Sequence, residues 1–137
     1  MDIKIFKILP DDAVNIRLEV FVDEQGFQEE FDSDDNTATH FVGFIDGKAV
    51  ATCRIIQRDE FSCMIGRIAV RKDFRKGGLG GEIVHAAETR IKELGFKKIY
   101  IHSQLQAVPF YEKIGYSQTG ETDFEEGCPH CMMFKNL

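Results

Sequence analysis

Apolar and polar residues change their period several times along this chain, and each change marks an element. Ile3, Ile5 and Phe6 read as a short first strand, closed at Pro10, after which Asp11 or Asp12 can cap a helix. Val14, Leu18, Phe21 and Val22 then recur at helical spacing. Acids crowd the next stretch (Asp23, Glu24, Glu29, Glu30, Asp32, Asp34 and Asp35), which reads as a loop or broken helix pinned to the body by Phe27 and Phe31. Residues 40–45 and 48–57 form two strands around an Asp46-Gly47 hairpin signal, and residues 61–70 form a third. Gly66 interrupts that third strand and marks a bulge or a close backbone approach.

Ile83, Val84, Ala87, Ile91 and Leu94 share one helical face, which Gly95 ends. Residues 99–102 read as a buried strand. Residues 107–114 read as a short helix with Pro109 in its first turn, where a missing donor does no harm. Residues 116–124 and 129–134 read as two closing strands. Consecutive strands favour antiparallel pairing, and the later strand–helix–strand step favours one parallel crossover. The expected fold class is therefore mixed α/β (α+β), a mostly antiparallel sheet with helices on both faces.

Composition narrows the class. The 137 residues suit one domain, 1–137, and 43% hydrophobic with 29% charged residues is a globular balance. Lys and Arg number 17 against 23 Asp and Glu, a net charge of −6, which disfavours a general grip on nucleic acid or anionic lipid. The longest apolar run is four residues, 131–134, against roughly 20 for a membrane span. The N-terminus has no signal-peptide pattern, so a cytoplasmic chain with Cys53, Cys63, Cys128 and Cys131 as free thiols is expected.

Residues 71–81 carry the strongest chemical signal. Arg71, Lys72, Arg75 and Lys76 stand within six residues, and Gly77, Gly78, Gly80 and Gly81 follow as a helix opens. Glycines allow close backbone approach, and a helix N-terminus offers free amides with partial positive charge, so the segment reads as a diphosphate cradle. It is not a P-loop, since no Gly-Lys-Ser/Thr string ends it. It is not a dinucleotide fingerprint either, since Ile83 stands where the third glycine belongs and Lys97 and Lys98 where an acid belongs.

Arg75-Lys76-Gly77-Gly78-Leu79-Gly80 resembles the Arg/Gln-x-x-Gly-x-Gly/Ala signature of the GNAT superfamily of acetyl-CoA-dependent N-acetyltransferases. Gly66 to Val70 resembles that family's splayed strand, and residues 107–116 resemble its Ala-x-x-Phe-Tyr-x-x-x-Gly-Phe/Tyr helix. The resemblance covers residues 48–137 well and the N-terminal third in outline. It implies the GNAT-like acyl-CoA N-acyltransferase fold and direct acetyl transfer from acetyl-CoA to a primary amine of a small molecule. It implies pantetheine pairing along Ile68, Ala69 and Val70 and a pyrophosphate on the amides of Lys76, Gly77, Gly78, Leu79, Gly80 and Gly81. Arg75, with Arg71, would stand near the phosphates, and Gln104 and Ala107 near pantetheine. Family members are often monomers or dimers, so the resemblance implies a monomer or homodimer.

Tyr111 matches the family tyrosine that protonates the leaving thiolate, although periodicity alone would make it a core aromatic. Gly127-x-Pro129-His130-x-x-Met133 resembles the last strand of a small bacterial branch that includes glyphosate N-acetyltransferase, where the histidine is the base. An imidazole suits that role near neutral pH, although a lone His at a strand start is also a structural position. Arg67 matches a substrate-anion arginine of that branch. Val22 and Gln104 replace its other arginines, so a glyphosate-like substrate is not expected. The acids from Glu24 onward either favour a cationic amine or form a solvated loop, and His40 is read as structural.

Two other readings exist. A non-catalytic acyl-CoA-binding module is the alternative to the enzyme. Cys128-Pro129-His130-Cys131 resembles a dithiol redox motif, but only six residues follow Cys131, too few for the helix that chemistry uses.

Overall fold

The computed structural model describes residues 1–28 and 30–137; Glu29 lies outside the described residues. The elements are β1 Asp2–Phe6, α1 Asp11–Arg17, β2 Thr39–Ile45, β3 Lys48–Gln57, β4 Ser62–Val70, α2 Leu79–Glu93, β5 Lys98–Gln104, α3 Val108–Lys113, β6 Ser117–Glu125 and β7 Cys128–Asn136. A π-helical stretch, Leu18–Glu24, continues α1, and 3-10 turns cover Ser33–Asn36, Lys72–Phe74 and Leu105–Ala107. Seven strands form one sheet in the order β1-β2-β3-β4-β5-β7-β6. Every neighbouring pair is antiparallel except β4 and β5, which α2 connects.

Helices cover both faces. The apolar stripe of α2 (Ile83, Val84, Ala87, Ile91) packs with Val108 and Tyr111 of α3 on one side, against Phe41, Val50, Ile55 and Ile99. On the other side Ala13, Ile16 and Val20 pack on Val42, Ala49 and Ala69. The segment after Pro10 therefore turns Ala13, Ile16, Arg17 and Val20 inward, while Leu18 is exposed. This differs from the stripe Val14, Leu18, Phe21 and Val22 read from spacing. The inward positions keep ordinary helical spacing but include a small residue, Ala13, and a buried arginine, Arg17, which an apolar pattern does not mark. The cap differs as well: Pro10 is the N-cap without a side-chain bond, and Asp11 and Asp12 sit in the first turn, where their charge favours the dipole. No helix among the described residues is long and apolar enough to cross a membrane.

Candidate active site

The sheet forks at its one parallel pair. β4 and β5 pair from Ser62↔Lys98 to Ile65↔Ile101 and no further. Beyond that point β4 keeps only β3, through Thr52↔Ala69 and Ala51↔Val70, and β5 keeps only β7, through His102↔Met132 to Gln104↔His130. A bulge drives the divergence: Arg54 pairs with Gly66 and Thr52 with Ala69, so Arg67 and Ile68 face Cys53 alone. Arg67 sits at φ 50, in the left-handed region. The expected bulge at Gly66 is thus present, and the edge of β4 from 66 to 70 is free on its β5 side.

The fork opens into a cleft of about 330 Å³ that Arg67, Ile68, Gln104, Ala107, Tyr111 and His130 line together. The side chain of Ala69 faces the α1 core instead, and Glu24 and residues 75–81 lie outside the cleft.

The glycine-rich turn follows directly from β4. Lys76 has φ 73 and Gly78 φ 78, and α2 begins at Leu79, with Glu82 N–H donating to the Gly78 carbonyl as its first complete turn. The left-handed residues turn the chain into α2, and the first amides of a helix lack internal partners. A Cβ on Gly78 would meet nothing within 4 Å, so open space lies above the turn. A Cβ on Gly80 would stand 3.2 Å from Phe110 Cζ, so glycine there lets the start of α3 approach α2. The free β4 edge and these amides fit an acyl-CoA: one can pair with the amides of pantetheine and the other with a pyrophosphate.

The flanking arginines are engaged. Arg75 donates from Nε to the Val70 carbonyl at 2.9 Å and from both terminal nitrogens to Glu24 at 2.9 Å. Arg71 donates to the Ala49 carbonyl at 2.8 Å and pairs with Glu19 at 3.0 Å. Gln104 donates to Gln25 Oε1 at 2.8 Å, which ties β5 to the residue after the π-helical stretch.

Tyr111 is 8% exposed, and burial raises its phenol above the usual range, so it holds its proton. His130 is 4% exposed at the start of β7. Its Nδ1 lies 2.8 Å from the Cys128 carbonyl, which only accepts, so Nδ1 carries the hydrogen and Nε2 keeps its lone pair. Nε2 stands 3.7 Å from Glu125 Oε2. Cys128 and Cys131 are strand residues, not the start of a helix. His40 is buried in β2 and bonds the Asp35 carbonyl at 3.0 Å, in the structural role read for it.

Three acids of the acid-rich stretch, Glu30, Asp32 and Asp35, are held by arginines, while Asp23 and Asp34 are exposed. Arg17, 1% exposed, donates to Glu30 at 2.7 Å and to Asp35 at 2.8 and 3.0 Å. Arg54, 4% exposed, donates to Asp32 at 2.7 Å and Asp35 at 2.8 Å, and Arg67 pairs with Glu30 at 3.0 Å and Asp32 at 3.2 Å. Glu30, Asp32, Asp34, Arg54 and Arg67 all line the cleft, so its wall beside β4 carries both signs of charge. Sequence reading missed Arg17 and Arg54, and it missed His102 and Glu125, which also line the cleft. A lone arginine inside the otherwise apolar run of β3 was the available signal for Arg54.

A forked mixed sheet, with a glycine-rich turn leading from the free strand edge into a helix, is the architecture of an acyl-CoA N-acyltransferase. Residues 10–137 match the model of the acetyltransferase (GNAT) domain. Over 128 residues the chain is 38% identical to the uncharacterized N-acetyltransferase YjcF of Bacillus subtilis, covering 91% of each chain. A Lactobacillus plantarum protein assigned as an N-acetyltransferase superposes with a TM-score of 0.89 at 31% identity, covering 100% of this chain and 99% of that one. A GNAT acetyltransferase of Elizabethkingia anophelis with acetyl-CoA bound shares the fold, with a TM-score of 0.76 at 17% identity over 98% of each chain. The chain belongs to the GNAT acetyltransferase family, and it is an acyltransferase.

Proposed function

We propose that the protein moves the acetyl group of acetyl-CoA directly to a primary amine of a small molecule. The observation that carries this reading is the tautomer of His130. With Nδ1–H held by the Cys128 carbonyl, Nε2 offers a lone pair inside the cleft that Tyr111 also lines. A base on β7 and an acid on α3 that line one cleft suit aminolysis of a thioester.

Acetyl-CoA would supply an activated acyl group with a thiolate leaving group. Residues 68–70 of β4 would hold the pantetheine arm by strand-like pairing, and the amides of 76–81 would hold the pyrophosphate. A backbone amide near Val70 would polarise the carbonyl oxygen. His130 Nε2 accepts a proton from the amine nitrogen, and the Tyr111 hydroxyl donates one to the departing sulfur. The family-fold protein with acetyl-CoA bound supports the choice of acyl donor.

The test is thiol release from acetyl-CoA against polyamines, amino sugars, amino acids and peptides, with the acetylated product identified by mass. The expected result is free thiol and N-acetylated product in equal amounts for one amine class. Coenzyme A binding with no turnover on any amine contradicts it and leaves the acyl-CoA-binding module.

A further inference from the structure

The far wall of the cleft carries a second group of side chains. β5, β6 and β7 bring His102, Asp123, Glu125 and His130 onto one face, through His102↔Met132, Gln104↔His130 and Asp123↔His130. The His102 and His130 rings stack with centroids 4.5 Å apart and planes 24° apart. Among the described residues, the hydrogen-bond and ion-pair partners of these four side chains are one another and the Cys128 carbonyl.

The outer partners fix which nitrogens are bare. His102 Nε2 lies 2.7 Å from Asp123 Oδ1, a carboxylate that accepts, so Nε2 carries the hydrogen and Nδ1 is the acceptor. His130 Nε2 is an acceptor for the reason given above. Both bare nitrogens face Glu125 Oε2, at 3.6 and 3.7 Å, and the three atoms lie within 4.8 Å of one another. Three acceptors thus converge with no donor among them. Among the described residues, the two carboxylates have no arginine or lysine as a partner, whereas the acids of the wall beside β4 are interleaved with Arg54 and Arg67.

We propose that His102 Nδ1, Glu125 Oε2 and His130 Nε2 receive the primary ammonium group of the acceptor substrate. This deepens the acyl-transfer reading and rests on it for the identity of the cleft. A tetrahedral ammonium whose N–H groups reach acceptors at about 2.9 Å spreads those acceptors to about 4.7 Å. Two of the observed separations, 3.6 and 3.7 Å, are about 1 Å shorter than that, so the half-exposed Glu125 carboxylate must swing outward to admit the ammonium. A divalent metal at about 2.0–2.1 Å would suit these separations, but its bonds need lone pairs that converge within the ring planes, and two nearly parallel rings send theirs side by side. The group counts donors: a primary ammonium has three N–H bonds for three acceptors, a secondary one has two, and a quaternary one has none. His102 and Glu125 therefore set the preference for primary amines, and His130 is placed to take the proton.

The test reads imidazole nitrogen signals by NMR in the full chain, titrated at constant ionic strength with n-butylammonium chloride or tetramethylammonium chloride. The proposal expects saturable shifts of both His102 and His130 signals with n-butylammonium and none with tetramethylammonium. Glu125→Gln, at a half-exposed position, should fold and weaken the n-butylammonium response by about tenfold. In turnover it should raise KM for the amine while leaving KM for acetyl-CoA unchanged. Equal shifts with both cations, or none with either, overturn the proposal. So does zinc chloride binding at this site that n-butylammonium cannot displace. Ammonium binding without acetyl transfer keeps this inference and sinks the acyl-transfer reading; acetyl transfer without these shifts does the reverse.

Discussion

The guanidinium of Arg75 holds both carboxylate oxygens of Glu24 at 2.9 Å, joining the glycine-rich turn to the end of the π-helical stretch. The pair is partly exposed, so it stabilises the fold by less than about 1 kcal/mol. Its consequence lies in ligand binding, because a phosphate and Glu24 compete for one guanidinium. Arg75→Ala should raise KM for acetyl-CoA about tenfold, the value of one charge-assisted contact. Glu24→Gln should leave KM unchanged or lower it. Initial rates across a range of acetyl-CoA concentrations check both.

Gly78 separates steric from electrostatic effects at the turn. Its φ of 78 is strained for most side chains, yet the space above it is open. Gly78→Asp and Gly78→Asn bring similar shapes to the same backbone, and Asp and Asn are among the residues that tolerate left-handed geometry. The charged variant should lose at least about a hundredfold in acetyl-CoA affinity by calorimetry, and the neutral one far less. Equal affinities would show that no anion sits over these amides.

Tyr111 is tested by removing one atom. Tyr111→Phe keeps the ring contacts with Phe110 and Tyr116 and deletes the hydroxyl. Turnover should fall about a hundredfold with KM for acetyl-CoA unchanged, as for loss of a general acid. Unchanged turnover would leave Tyr111 as a core aromatic.

Asp35 ties the acid-rich stretch to both buried arginines; burial pushes its carboxyl up, but the hydrogen bonds and charges of Arg17 and Arg54 outweigh it and hold the carboxyl down to about 2 from 3.8. A depressed carboxyl stabilises the fold above its unfolded value and loses that effect as pH falls. Asp35→Asn should cost about 3 kcal/mol at neutral pH, because two buried guanidinium groups lose their shared counter-charge. Urea unfolding of both proteins should give a constant difference above about pH 4, narrowing toward about pH 2. Glu30, which shares Arg17 with Asp35, is raised by its burial and works in the opposite sense. A pH-independent difference would contradict the ion-pair account.

Local signals carried much of this structure. The hairpin at Asp46-Gly47, the bulge at Gly66, the turn at 76–81 and Pro109 in the first turn of α3 are short-range features, and each lies where its residue types place it. Tyr111 and His130, singled out through motifs, line one cleft. The arginine network was not, because Arg17 and Arg54 find their acids 13 to 22 residues away, with no period to reveal it. A buried arginine in sequence looks like a surface position until its partners are known. His102 and Glu125 were missed for a related reason: their place beside His130 depends on the pairing of β5 and β6 with β7, which the pattern of each strand alone does not state.

The most direct measurement is a crystal structure of the chain grown with coenzyme A. The fork predicts the pyrophosphate within hydrogen-bond distance of the amides of 76–81 and the pantetheine arm alongside residues 68–70. Coenzyme A bound elsewhere, with that turn and strand edge untouched, would contradict it.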